Sequence, residues 1–249
     1  MNLYKYPIKF DLDKLLKEKD YAESVVTYDS GFRNHCISLL GRKEEEMDYG
    51  DDDFAMNRIW KDYNRQVNVL YDTEILRDIP FDRKHLPYIN SVLDIFNEGT
   101  EVLAARIIRR EPHSSYGIHR DYGKGMEELE DSKKFSWRFQ IPLISNKDCY
   151  LIIFKDHMVG YTNHQSTAKW KELYGEYQLE DFLDKPSDDF QVHRLEDGYL
   201  HLFLAWKYAH TVWNWGETDR YTLLVDTIPN DWTENWAKEN LYNNEILPS

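Results

Sequence analysis

Cysteine is scarce in this chain. Cys36 and Cys149 are the only two in 249 residues, and they stand far apart and outside any metal-ligand spacing. That excludes a disulfide scaffold or a zinc-ribbon type of site, and it fits two reduced thiols in a cytoplasmic protein. Long apolar runs are also missing. The most apolar stretch, residues 200–206, is far too short to cross a bilayer. The amino-terminal MNLYKYPIKFDLDK lacks the apolar region of a secretory signal. Positive charge is in deficit, with 31 Lys and Arg against 45 Asp and Glu, a net charge of −14. A broad acidic surface repels phosphate backbones and anionic membranes, so neither nucleic acid nor a membrane is expected as a partner. An anionic small molecule would need its own buried cation. There is no internal repeat and no Pro/Gly/Ser-rich linker, so a single domain over 1–249 is expected.

What is present is core-forming material, 41% apolar and 15% aromatic. Residues 3–10 (LYKYPIKF) alternate as a strand does, and Asp11 or Asp13 is placed to cap a short helix through Leu15 and Leu16. Residues 43–54 form an acidic stretch that reads as a solvated loop. Residues 86–98 place Leu86, Ile89, Val92, Leu93 and Phe96 on one helical stripe, with Pro87 near the start and Gly99 as a C-cap. The period then changes. VLAARIIRR (102–110), WRFQIPLI (137–144), CYLIIF (149–154), YLHLFLAW (199–206) and RYTLLVDT (220–227) read as strands. The pattern predicts a mainly β barrel or sandwich core over 101–228, with helical and strand support over 1–100 and a tail over 229–249. A polar, aromatic insertion over 156–192 interrupts the core as a surface elaboration or a lid.

The chemistry concentrates in the second half. In IHRD, His119 and Asp121 are two apart, and on a strand such residues point to the same face, where an imidazole and a carboxylate can share one metal. His210, in KYAHTVWNWGETDR, is the candidate third ligand. Two histidines and a carboxylate leave three positions of an octahedral Fe(II) open, two for 2-oxoglutarate and one for O₂. Arg220 follows His210 by ten residues across a turn containing Asn214, Gly216 and Asp219, which predicts a hairpin that makes the two neighbours. A guanidinium there can hold the distal carboxylate of 2-oxoglutarate through two parallel hydrogen bonds. Arg138 and Gln140 share a strand face and offer further donors to this cosubstrate. Simpler readings stand beside these. His210 can be a core histidine bonded to backbone, Arg220 can pair with Asp219 or Glu217, and His201, inside an apolar strand, is the rival ligand. Tyr116, Tyr122, Tyr161, Trp206 and Trp213 can line a substrate pocket or fill a core.

Taken in order, ARIIRREP–HSSYGIHRD, RFQIPL and HTVWNWGETDRYTLLVD resemble the aspartyl/asparaginyl β-hydroxylase family and its bacterial amino-acid and proline hydroxylase relatives, over about residues 70–228. The resemblance implies a double-stranded β-helix (jelly-roll, cupin-like) and an Fe(II)- and 2-oxoglutarate-dependent dioxygenase acting on a small molecule or peptide, namely an amino acid or a peptide side chain. It implies iron on His119, Asp121 and His210, and cosubstrate on Arg220 with Arg138 close by. Two departures stand out: many relatives have His where this chain has Gln140, and the usual Gly after the Pro of the first core strand is His113. A cupin-like metal protein without 2-oxoglutarate chemistry, or a non-enzymatic barrel that binds a small acidic ligand or a protein, fits the same residues.

Overall fold

A computed structural model describes residues 3–25, 36–39, 85–97, 101–115, 137–154, 190–205, 208–228, 230 and 231, together with Asn235 and Glu239. Strand β1 (Leu3–Lys9) buries Tyr4 and Tyr6 and leaves Pro7 exposed. Pro7 cannot donate to a ladder, and it is tolerated because β1 is the edge of its sheet. Asp11 then caps α1 (Leu12–Val25), its carboxylate accepting the Lys14 N–H at 3.2 Å. Leu15, Glu18, Lys19 and Ala22 form the buried stripe of α1. The Glu18 carboxylate accepts the N–H groups of Tyr88 (2.8 Å) and Ile89 (2.7 Å), in the first turn of α2 (Pro87–Asn97), where the helix dipole favours an anion. The expected stripe of Leu86, Ile89, Val92, Leu93 and Phe96 is buried throughout. Gly99, the 43–54 stretch and residues 156–189 lie outside the described residues.

The remaining strands are β2 (Cys36–Ser38), β3 (Glu101–Arg110), β4 (Ser114–Ser115), β5 (Trp137–Ile144), β6 (Cys149–Phe154), β7 (Phe190–His193), β8 (Tyr199–Phe203), β9 (His210–Asn214) and β10 (Arg220–Ile228). The stretch read as an insertion therefore ends in strand β7, which is too short to show a period of its own. All pairings are antiparallel, in a six-stranded sheet ordered β1-β8-β5-β10-β3-β2 and a four-stranded sheet ordered β4-β9-β6-β7. From β3 to β10 the chain passes back and forth between the two sheets, so eight strands wind into a double-stranded β-helix, mainly β with helical support.

The larger sheet uses both faces. Phe139, Ile141, Leu143, Leu223 and Val225 pack toward the helices, as the 4.8 Å ring contact of Phe96 with Phe139 shows. Strand alternation turns Arg138, Gln140, Arg220, Thr222, Leu224 and Asp226 the other way, into the barrel. The smaller sheet turns Cys149, Leu151, Ile153, His210, Val212 and Asn214 inward. Tyr150, Ile152, Phe154 and Trp213 form a separate outer cluster.

One end of the barrel is sealed by tight connections at 111–113, 145–148, 194–198 and 215–219. Gly198 takes φ +78° there and donates its N–H to Pro142 O at 2.8 Å. His113 takes φ 53° in the same layer, the left-handed region that favours glycine. The backbone keeps a glycine-like bend at this position although the residue is His.

Candidate active site

His210 opens β9, away from the sealed end, and is 4% exposed. Its Nδ1 lies 3.2 Å from Tyr208 O. A carbonyl only accepts, so Nδ1 carries a proton, the arrangement in which a metal-binding imidazole uses its other nitrogen. The edge of its ring meets Phe203 at 4.8 Å between centroids, which fixes its rotation and sets it level with the Phe203–Arg138–Asp226 row of the facing sheet. The backbone-bonded reading of His210 and the ligand reading thus describe two nitrogens of one ring.

The expected His210–Arg220 hairpin does not form. β9 pairs with β4 and β6, whereas β10 pairs with β3 and β5, so the two residues stand on opposite walls. The connection at 215–219 crosses between sheets, which is how a jelly roll closes. β9 runs about 13 Å from His210 to Asn214, and the Asn214 carboxamide bonds Arg110 O at 2.9 Å. Arg110 is the cross-strand partner of Arg220. His210 and Arg220 therefore mark the two ends of one interior.

Arg220 is 6% exposed. Neither proposed internal partner answers it: Asp219 accepts from Arg109 Nε at 2.9 Å, and Glu217 contacts His113 Nε2 at 3.2 Å. Among the described residues Arg220 has no hydrogen bond and no ion pair. Burial, with Arg110 adding like charge, lowers its pKa to about 10. Two residues along the same inward face, the Thr222 hydroxyl is buried with no hydrogen-bond partner. Gln140 is 4% exposed, and among the described residues its carboxamide makes no hydrogen bond. An unanswered guanidinium, hydroxyl and carboxamide on one wall are costly to a protein interior unless a polar ligand meets them.

Arg138 is placed differently from the expectation. It shares the inward face with Gln140, but its Nε and Nη2 bond Asp226 Oδ1 and Oδ2 at 2.7 and 3.0 Å, while Arg106 Nη2 reaches Asp226 Oδ2 at 3.1 Å. Its fork is thereby committed to a protein carboxylate. Burial opposes ionisation of Asp226, but the two guanidiniums outweigh it and hold its pKa below the ordinary 3.8. A folded-state value below the unfolded one stabilises the fold at pH above the ordinary value, and that stability is lost as pH falls beneath it. Asp226→Ala is expected to cost about 3–5 kcal/mol at neutral pH by stranding two guanidiniums, and the gap to the parent protein should shrink below about pH 4 in urea melts. An equal gap at both pH values would contradict this ion-pair assignment.

His201 faces inward too, opposite Gln140. Burial pushes its pKa down to about 4, and its Nδ1 lies 3.1 Å from Tyr199 O, the same contact to the carbonyl two residues back that His210 makes. Trp213 belongs to the outer cluster and does not line the interior. His119 and Asp121 lie outside the described residues, as do Tyr116, Tyr122, Tyr161 and Trp206. Among the described residues no three His, Cys, Asp or Glu side chains converge on a metal position. Thr222 and Asp226 were not singled out from the sequence, although the alternation from Arg220 places both on its face. Among the described residues no helix is long and apolar enough to cross a membrane.

No family model matches the chain, and no curated protein matches it. Among solved structures it is similar to a non-heme monooxygenase, ThoJ, in a nickel complex (14% identity, 91% of this chain and 73% of that one, TM-score 0.44). It is similar to HygX from Streptomyces hygroscopicus with nickel and 2-oxoglutarate bound (14% identity, 92% and 83%, TM-score 0.47). It is also similar to a prolyl-4-hydroxylase from Pseudomonas putida (12% identity, 92% and 92%, TM-score 0.40). All three likenesses are distant.

Proposed function

We propose that this protein is an Fe(II)- and 2-oxoglutarate-dependent dioxygenase that hydroxylates a C–H bond of an amino acid or a peptide side chain. The observation that carries the reading is Arg220: a buried guanidinium with no hydrogen bond and no ion pair among the described residues, on the same inward face as the orphaned hydroxyl of Thr222. A five-carbon dicarboxylate with a keto group at one end suits a cation at one end of the interior and a metal at the other. His119, Asp121 and His210 would hold the iron. When bound, iron and cosubstrate supply the oxidising chemistry, with O₂ consumed and succinate and CO₂ released.

The chain's own residues bind and orient. The Arg220 fork and the Thr222 hydroxyl take the distal carboxylate, and Gln140 donates from the same wall. Tyr208 O keeps a proton of His210 on Nδ1, which leaves Nε2 as the nitrogen that would hold the metal. Leu151, Ile153, Val212 and Leu224 make the interior between the two ends apolar, which strengthens each of these contacts. Arg138, held on Asp226, contributes charge to the wall facing His210.

The test is spectroscopic. Fe(II) and then 2-oxoglutarate are added to the protein without oxygen, and the visible spectrum is recorded. A weak charge-transfer band is expected only when both are present, and it should be missing in His210→Ala. No band in folded, iron-loaded protein would overturn the reading in favour of a metal-binding or ligand-binding barrel without this chemistry. Candidate amino acids and peptides are then scored by stimulated succinate formation.

A further inference from the structure

We propose that Cys149 is an oxidation site inside the barrel, and that its sulfinate form occupies Arg220 in place of the anionic cosubstrate. The proposal rests on the reading of Arg220 as the cosubstrate's partner.

Cys149 begins β6 on the inward face, in register with Asn214 at the sealed end. It is 4% exposed. Its thiol donates to Asn214 Oδ1 at 3.3 Å and accepts from the Asn146 N–H at 3.5 Å. The same Asn214 carboxamide holds the carbonyl of Arg110, the cross-strand neighbour of Arg220. The Arg220 charge favours the Cys149 thiolate, against the burial that raises the thiol pKa. Independently of the thiol, Arg220 is more than nine-tenths buried and makes no hydrogen bond or ion pair among the described residues, the Asp197 carboxylate acting on it only from beyond contact distance. A desolvated cation of this kind stabilises any anion generated beside it.

The oxidant is a small hydroperoxide entering by the cosubstrate's route. The thiolate sulfur attacks one peroxide oxygen, the O–O bond breaks, and thiol plus peroxide become sulfenic acid plus water or alcohol. A second peroxide adds a second oxygen in the same way, so each step oxidises sulfur by two electrons and reduces one peroxide. The sulfinic acid loses its proton at neutral pH. Its two oxygens then match the two N–H groups of a guanidinium fork, as a carboxylate's do. Burial raises the thiol pKa, so the first step is slow at neutral pH and quickens with alkalinity.

The test uses protein loaded with redox-inert Zn(II) and treated with hydrogen peroxide, with or without 2-oxoglutarate. The Cys149 peptide is weighed and 2-oxoglutarate binding is measured by calorimetry. The expected result is a gain of two oxygens at Cys149, faster at pH 9 than at pH 7 and suppressed by 2-oxoglutarate. Binding of 2-oxoglutarate should weaken roughly tenfold or more, with the circular dichroism unchanged. Cys149→Ser should bind as well after peroxide as before. The proposal is overturned if Cys149 resists peroxide at pH 9, if the oxidised protein binds normally or unfolds, or if Cys149→Ser loses binding equally. Untreated protein that binds no 2-oxoglutarate would overturn the functional reading, and the competition step with it. Oxidation itself is still scored there, because Arg220→Gln should slow it.

Discussion

Arg220→Gln is expected to weaken 2-oxoglutarate binding by roughly two to three orders of magnitude, about 3–4 kcal/mol, because both charge-assisted hydrogen bonds of the fork are lost. The same substitution is expected to leave the ligand-free protein as stable as the parent or more so. Arg220 is desolvated and makes no ion pair among the described residues, so removing its charge relieves a cost and breaks no partnership. A structural arginine behaves in the opposite way, losing stability and leaving ligand binding alone. Parallel thermal melts and 2-oxoglutarate titrations of the variant therefore separate the two. Arg220→Lys should fall between, since an ammonium keeps the charge without the planar fork. Thr222→Val, which removes an orphaned hydroxyl at constant shape, should weaken binding about fivefold, near 1 kcal/mol, without loss of stability. A melting temperature for Arg220→Gln well below the parent's would sink the assignment.

Asn214→Ala is expected to produce the largest stability loss of any single carboxamide deletion among the described residues. The Asn214 side chain is fully buried. Its Nδ2 donates to Arg110 O (2.9 Å), Glu111 O (3.0 Å) and Thr218 O (2.8 Å). Its Oδ1 accepts from Asn146 Nδ2 (3.0 Å), the Cys149 thiol (3.3 Å) and the Gly216 N–H (3.3 Å). One carboxamide thus ties the β3–β4 corner, the β5–β6 turn and the β9–β10 crossing together. Truncation strands carbonyls and donors that water reaches poorly, at a cost of about 3–5 kcal/mol and a fall in melting temperature of roughly 10 °C. Gly216 belongs to the same clamp, because a Cβ there would overlap the Asn146 side chain. Gly216→Ala should destabilise by displacing Asn146, and the double variant Gly216→Ala/Asn146→Ala should recover part of that loss. A shift of no more than about 2 °C for Asn214→Ala would show that the clamp is dispensable.

Elements that are buried on both faces were the most legible. WRFQIPLI and CYLIIF are strands β5 and β6 to the residue, because a strand buried on both faces, β5 by the helices and the barrel interior and β6 by that interior and its outer aromatic cluster, shows a continuous apolar run bounded by turn residues. The stripe of α2 was equally plain. Strands β2, β4 and β7, of three, two and four residues, are too short to carry a period, and pairing with longer neighbours is what makes them strands. The supposed β9–β10 hairpin shows a different limit. A five-residue connection between two strand-like runs looks the same in sequence whether it turns back within one sheet or crosses to another, and the hydrophobic partners on both walls make the choice.

By itself the sequence determined the alternation that sends Arg138, Gln140, Arg220 and Thr222 to one face, the helical stripe that covers the other, and the placing of His210 and Arg220 on successive strands. It could not determine which cation has an anion. Acidic residues outnumber basic ones, 45 to 31, so every arginine has candidate partners on composition alone. Only the tertiary structure assigned them. Register over 88 positions brings Asp226 onto Arg138, and register over 110 brings Asp219 onto Arg109, leaving Arg220 inside the barrel with none among the described residues. A hydrogen-bonded ion pair needs its groups within about 4 Å, so proximity set by strand pairing decides it, and proximity is what a one-dimensional pattern does not contain.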